Sequence, residues 1–314
     1  MNLKREISVK KHLRKKMTQS ELQLSLLCII PVLLVFVFNY LPMGGLVMAF
    51  KRFDYSKGIF GSDWVGLQNF KVFVGSNEFF KITWNTISLN ALFIVFGLIA
   101  AIIVAVLLFE MKSRLATKTF QTVLITPNFL SWVVVAYMAY AILHTEHGSL
   151  NKILSSLGLE KVDWYSSPKA WPVILTVASI WKNVGMDSII YYAALMGVDE
   201  SLFEAAKLDG ANKFKQVIHI MIPSLLPLMT ILTILKIGNI FRADFGLFYQ
   251  VTRDVGVLYE TTDVIDTYIF RTMRVLGDMG LSSAVGLLQS VVGFVMVMAT
   301  NYVAKKIDPE RSLF

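Results

Sequence analysis

Six stretches of roughly 20 predominantly apolar residues recur along this chain, at 22–43, 85–109, 122–143, 171–195, 222–241 and 281–304. A helix of about 20 residues rises roughly 30 Å, the thickness of a bilayer's hydrocarbon core, so each stretch is long enough to cross. Backbone polar groups in hydrocarbon must be satisfied within the segment, which leaves helices or closed barrels, and runs of this length specify helices. Composition agrees: 55% hydrophobic and 17% charged residues, with a mean hydropathy of +0.59, exceed what a soluble domain carries. The expected fold is an all-α integral membrane bundle of six transmembrane helices. One domain, 22–304, lies between a basic tail, 1–21, and a short tail, 305–314, with no long linker or internal repeat. Lys236 interrupts the fifth run. Cys28, the only cysteine, lies inside the first run, so no intramolecular disulfide or metal cluster is expected, and it reads as packing.

Orientation follows from the basic residues, because positive charge flanking a span is retained in the cytoplasm. With the N-terminus inside, 16 of the 30 Lys and Arg residues fall in short inner segments, 12 are spread over three longer outer loops, and Lys182 and Lys236 lie within spans. Both termini are therefore expected to be cytoplasmic. The run KREISVKKHLRKK reads as this orientation signal rather than a nucleic-acid site. The first apolar run is too long for a signal peptide and no A-x-A site follows, so it is expected to remain as an anchor.

The outer loops are structured in pattern. The segment 40–70 mixes aromatics with Gly, Lys and Asp, as expected at headgroup level and over the outer mouth. Leu150, Ile153, Leu154 and Leu157 are spaced for a short amphipathic helix on the membrane surface. Val264, Ile265, Tyr268, Ile269 and Met273 share a helical face whose partner is expected to be another subunit.

Between spans four and five, residues 199–223 form a polar loop with no membrane to cross. Ser201 and Glu204 are spaced as a capping box that would start a helix. Asp209-Gly210 would stop it, since Gly accepts the positive φ that follows a helix, and a second helix is expected from Ala211. Leu202, Phe203, Ala205, Ala206 and Leu208 then lie on a short exposed helix, a docking knob whose alanines admit a partner closely. On pattern alone, an ordinary connector is an equal reading. Glu204-Ala205-Ala206, Gly210 six residues after Glu204, and Ile220-x-Ile222-Pro223 resemble the EAA loop of binding-protein-dependent ABC importer permeases; Ile222 stands where that family usually has Leu before Pro223. Residues 42–70, the NTISLN run at 85–90, and residues 180–211 and 248–273 resemble the carbohydrate and oligosaccharide (maltose-type) permeases, in particular the subgroup taking up polysaccharide fragments. The chain is expected to lack the extra N-terminal spans of some maltose-type permeases.

The resemblance implies a type I importer permease whose coupling residues are Leu202, Phe203, Glu204, Ala205, Ala206, Asp209, Gly210 and Pro223. It further implies a second homologous permease as heterodimer partner, two ATP-binding subunits, an extracytoplasmic solute-binding protein and a bacterial cell membrane. The implied cargo is a carbohydrate, an oligosaccharide or polysaccharide fragment. No GxxxxGK[ST] loop and no catalytic constellation occur among four His and one Cys, so the chain is expected to be non-catalytic and to bind no cofactor or metal, with ATP and Mg held by the partner ATPases.

A charge near the bilayer centre costs about 2.5–3.5 kcal/mol on insertion scales and rarely faces lipid. Lys182, Asn183 and Asp187 in span four, and Lys236, Asn239 and Arg242 in span five, are therefore candidates for the substrate path. Asn183 and Asp187 share a face at i, i+4, and Lys236 and Asn239 lie at i, i+3. Snorkelling or an interhelical pair is the competing reading for both lysines. Sugars stack on flat aromatic faces, so Tyr137, Tyr140, Trp181, Tyr191 and Tyr192 are further candidates, although such residues more often pack or anchor at the membrane interface. An anionic substrate would pair with Lys182, Lys236 and Arg242. Gly97, Ala101 and Ala105 would let span two pack closely, and Pro227 is a candidate hinge. A secondary carrier or a membrane scaffold stays open on the residues alone. The carrier is disfavoured because Asp187 is the single acidic group within the spans and no matching pair of broken helices is visible.

Overall fold

The computed structural model describes residues 19–307; the basic run before Gln19 and the C-terminal tail, with the cytoplasmic placement expected of both, lie outside the described residues. Five helices are long and apolar enough to cross a membrane, and one bent pair of helices makes the number six when it is counted as a single span. The first, α1 (Gln19–Val35), runs through a π turn (Phe36–Tyr40) into a 3-10 segment, Leu41–Phe50. A two-residue antiparallel ladder follows, β1 (Lys51–Arg52) against β2 (Asp63–Trp64), with Lys51 opposite Trp64. It is the one departure from an all-α chain among the described residues. A short helix, α2 (Gln68–Val74), leads into α3 (Asn77–Glu110), whose 34 residues begin eight positions before the apolar run. At 1.5 Å per residue it rises about 51 Å and projects well beyond a 30 Å core.

The third crossing departs most from expectation. In place of one helix over 122–143, α4 (Arg114–Ile125) ends in a 3-10 turn, Thr126–Phe129, and α5 (Trp132–Leu143) leaves it at 99°. Pro127 lacks the N–H that would continue α4. Leu130 and Ser131 are extended, and the Ser131 hydroxyl caps α5 by accepting from Val134 N at 3.4 Å. The outer α6 (Ser149–Ser156) forms where expected, and α7 (Trp171–Leu195) has the expected bounds of span four.

The fifth crossing, α9 (Lys213–Gly238), begins nine residues before its apolar run, after α8 (Glu200–Leu208), the helix of the polar loop between spans four and five. It passes a π turn, Val217–Met221, closed by Ile222 N donating to Val217 O. The next residue, Pro223, has no N–H for an ordinary α bond, so the wider turn absorbs the mismatch. Pro227 lies inside the same helix without ending it. After an irregular stretch, α10 (Ile265–Arg274) and α11 (Met279–Ile307) complete the bundle.

Three apolar clusters hold it together. Trp171, Leu175, Phe248, Val251 and Val264 fill the half towards the outer loops. Ala101, Ala105, Tyr191, Leu195, Phe203, Met221 and Leu225 fill the half towards α8. Phe73, Ile82, Ile265, Leu281 and Val285 join α2 and α10 to the bundle. The face expected to meet another subunit is therefore satisfied within the chain: Val264 and Ile265 are buried, and the Tyr268 ring packs at a tilt against Phe73, centres 5.3 Å apart. Ala101 and Ala105 are fully buried, in keeping with the small-residue stripe. Gly185 of α7 lies against α4 so closely that a Cβ there would sit 2.8 Å from Ile125 N.

Candidate translocation cavity and cytoplasmic docking helix

A cavity of about 450 Å³ opens where α3, α7 and the end of α9 meet, and Asn183, Asp187, Lys236, Asn239 and Arg242 all line it, with Asn90 and Gly97 of α3. Two pairs of polar residues chosen by helical spacing thus do share a face. Lys236 Nζ lies 2.7 Å from Asp187 Oδ2, so the interhelical pair and the lining role are the same fact. With that pair neutralised, Arg242 leaves the wall net positive. Asn183 also accepts from Asn128 Nδ2 at 3.2 Å, which ties the wall to the break in the third crossing.

The remaining three substrate-path candidates are elsewhere. Lys182 is 8% exposed and faces the break: its Nζ donates to Asn128 O at 2.8 Å and Leu130 O at 2.6 Å, reaches Pro127 O at 3.4 Å, and lies 5.2 Å from the Trp132 ring centre. An ammonium offers three donors on a flexible stem, which suits converging carbonyls. Lys182 neither snorkels nor lines the cavity; it closes the broken span. Tyr191 is buried in the cluster near α8, and Tyr192 packs against it. Among the other aromatics, Trp181 borders an apolar hollow with Met138 and Ile142, and Tyr137 borders a separate polar one.

The fifth crossing ends at the cavity, three residues before the end of its apolar run. Beyond Gly238 the backbone leaves the helix, and side chains from three elements take up its polar groups. Asn90 Nδ2 donates to Ile240 O and Arg242 O at 2.9 and 3.2 Å. Gln289 Nε2 donates to Phe241 O at 2.6 Å, and Asp266 Oδ2 accepts from Ala243 N at 2.8 Å and from Gln289 at 2.9 Å. Irregular backbone at membrane depth survives where protein satisfies it. Burial raises the Asp266 carboxyl above its usual value, opposed by the two donors and by Arg242. Asn90, Gln289 and Asp266 were not singled out from sequence. The one available signal was NTISLN, whose two asparagines have matching tasks: Asn85 Nδ2 donates to Glu260 O and Asp263 O at 3.1 and 3.2 Å.

At the opposite end, α8 begins differently from its expected capping box. Asp199 is the cap, its Oδ1 accepting from Ser201 N at 2.9 Å, and that contact with Ser201 holds the carboxyl below its usual value. Ser201 is inside the helix. Asp199 precedes Glu200 and reaches the first free N–H, so it wins the position. The stop is as expected: Gly210 has φ +76°, and Ala211 N donates to Ala206 O at 2.8 Å. Asn212 then caps α9 by accepting from Lys215 N at 2.9 Å, so the second helix starts at Lys213, not Ala211. Phe203 is 7% exposed and packs at a tilt against Phe109, ring centres 5.5 Å apart, which removes it from the expected docking surface and makes it the root of the helix. Leu202 and Leu208 are 51% and 90% exposed, and Glu204 and Ala205 also face outward. Pro223 lies within α9 and not on α8.

The chain that builds this polar cavity and exposed helix matches a known family. The model of the binding-protein-dependent transport system inner membrane component covers residues 94–309. This chain belongs to that family. It is 35% identical to protein LplB of Bacillus subtilis (strain 168), over 90% of this chain and 89% of LplB. It is 34% identical, over 90% and 88%, to the polygalacturonan/rhamnogalacturonan transport system permease protein YteP of the same strain. A bacterial ABC transporter involved in the import of the acidic polysaccharide alginate contains a chain that superposes with TM-score 0.83 and 30% identity, covering 92% of this chain and 97% of that one. The fold is therefore that of an ABC importer permease, and the chain is a membrane-spanning subunit of a transport system.

Proposed function

We propose that this permease forms one half of the path for an acidic oligosaccharide and that the cavity lined by Asp187, Lys236, Asn183, Asn239 and Arg242 is where the sugar is held. The cavity's chemistry carries the reading. The amides of Asn183 and Asn239 match hydroxyls, the Asp187–Lys236 pair offers an acceptor and a donor, and Arg242, which forms no salt bridge among the described residues, supplies a cation suited to a carboxylate. The relatives' substrates, a galacturonan and alginate, point the same way. In this reading α8 docks on a separate ATPase subunit through Leu202, Glu204, Ala205, Ala206 and Leu208, with Asp209 and Gly210 ending the helix. ATP and Mg are bound there. A second permease completes the path, an extracytoplasmic binding protein delivers the sugar, and both chain ends lie in the cytoplasm. ATP-driven closure of the ATPases shifts the bundle only by favouring one access state over the other.

The test is uptake of trigalacturonate by the reconstituted complex. A charge-assisted hydrogen bond is worth about 1.5–3 kcal/mol, so Arg242→Gln is expected to raise the half-saturating concentration by roughly 10- to 100-fold. An unchanged value would remove Arg242 and the acidic-sugar reading with it.

A further inference from the structure

A second polar hollow, of about 230 Å³, lies at the end of the bundle opposite α8, lined by Val133, Ala136 and Tyr137 of α5 and by Tyr249, Gln250, Arg253 and Asp254. It is placed at that end because the second segment packs on the loop between α5 and α7: Tyr165 donates to Val251 O at 3.3 Å and Thr261 to Pro168 O at 2.7 Å. The segment 243–248 runs from it to Arg242, with Asp244 accepting from Trp132 Nε1 at 2.7 Å between the two hollows.

The backbone at this hollow is held in an unusual shape. Arg253 and Asp254, at φ 58° and 51°, are the two non-glycine residues with positive φ among the described residues. Such positions persist only where their surroundings over-determine them, and they concentrate at functional sites. The surroundings here are specific. Asp254 accepts from the Tyr259 hydroxyl at 2.9 Å and from Arg271 Nη1 at 3.3 Å, and Arg271 also holds Asp263, which is 3% exposed and accepts from Thr267 at 2.7 Å. The Arg271 guanidinium lies 4.0 Å over the Tyr259 ring. Burial pushes the Tyr259 hydroxyl up to about 12, so it stays a donor to Asp254.

All of this apparatus fixes Asp254, and its consequence is the placement of Arg253. Arg253 is exposed, its guanidinium carbon lies 4.1 Å from the centre of the Tyr140 ring, over its face, and it pairs with no carboxylate among the described residues. A guanidinium stacked on an aromatic face keeps its N–H edge free, in the geometry that binds a carboxylate through two bonds. Beside it stand Gln250, whose amide matches sugar hydroxyls, and Tyr137, 68% exposed, whose ring offers a flat face to a pyranose. The size suits one sugar ring.

We infer that this hollow is a second carbohydrate subsite, at the outer end of the path, in which Arg253 binds the carboxylate of one uronate residue while Tyr137 and Gln250 hold its ring. The inference rests on the acidic-oligosaccharide reading above. A chain occupying both hollows would present carboxylates to Arg253 and Arg242 in turn.

The test compares uptake of trigalacturonate with that of its carboxyl-reduced, neutral counterpart by the assembled, reconstituted complex with its binding protein. Arg253→Asn removes the cation but keeps a residue at home in left-handed backbone, and Arg253→Lys keeps charge without the planar fork. The ratio of half-saturating concentrations, acidic over neutral, is expected to rise at least ten-fold in Arg253→Asn and by less in Arg253→Lys. An unchanged ratio, or an equal loss for both sugars such as weakened docking of the binding protein would give, overturns the subsite alone when the wild type imports trigalacturonate. If Arg253→Asn fails to assemble, Arg253→Lys with a wild-type ratio overturns it. A wild-type complex importing neither sugar overturns the subsite and the reading beneath it together.

Discussion

Replacing Lys182 by Met tests whether that side chain is a closure for the broken third crossing. Among the described residues, its Nζ is the sole donor to Asn128 O and Leu130 O, at 2.8 and 2.6 Å, whereas Pro127 O also accepts from Leu130 N at 3.1 Å. Met fills a similar volume and donates nothing, so two buried carbonyls lose their partner. Each unsatisfied group costs about 1–3 kcal/mol, a loss of roughly 2–6 kcal/mol. Removing a desolvated cation returns part of this, which sets the expectation near the lower end, about 2–3 kcal/mol. At roughly 2 °C per kcal/mol for a chain of this size class, the melting temperature of the detergent-solubilised complex should fall by about 4–6 °C. Amide exchange should rise selectively across residues 126–131. Lys182→Arg should not rescue, because a planar fork does not fit carbonyls converging on one point. A Lys182→Met protein that melts within about 1 °C of wild type, or that instead shows a substrate-specific defect at unchanged stability, would refute the closure and return Lys182 to the path.

Asp266→Asn, which keeps an oxygen to accept from Ala243 N and Gln289, should retain uptake, while Asp266→Ala should lose the turn that carries Arg242 and with it transport. Because the Asp266 carboxyl is raised in the folded protein, its contribution is full at pH below the unfolded value and is lost as pH rises through the folded value; melting curves against pH should show this fall in wild type and not in Asp266→Asn. Asp187→Asn and Lys236→Met should each impair uptake by leaving a lone charge in the cavity wall, and the double variant should recover stability relative to either single one, measured as a double-mutant cycle. Leu208→Asp, on the most exposed apolar side chain of α8, should leave the melting temperature within about 1 °C of wild type and abolish substrate-stimulated ATPase activity of the complex.

The crossings were readable because bilayer thickness sets a length, and span four matched to the residue. What length cannot show is a break whose repair lies elsewhere: Pro127 and Ser131 are an ordinary helix stop and start, but they sit inside a run of apolar residues, and the lysine that closes the gap is 52 to 55 residues away. The same holds for the turn after Gly238, repaired by Asn90, Asp266 and Gln289 from three other elements. Periodicity fared better on faces than on partners. It placed Asn183 with Asp187 and Lys236 with Asn239 on one cavity, since helical spacing alone decides that. It also found the buried face of α10, yet a spacing pattern is silent on what covers the face, and here α2, α3 and α11 do. On α8, Gly210 was legible because positive φ has a residue type, whereas Phe203 was not, because its burial depends on Phe109 ninety-four positions earlier.

We propose that this chain works as one permease of a two-permease, two-ATPase assembly, with α8 as the contact. The direct measurement is to tag the chain, solubilise native membranes gently and identify by mass spectrometry what co-purifies and in what ratio, for wild type and for Leu208→Asp. With wild type, a second six-span permease at equal amount and a P-loop ATPase at two copies should co-purify, and with Leu208→Asp the ATPase alone should be lost. Recovery of the wild-type chain by itself, or as a homo-oligomer without an ATPase, would contradict that assembly.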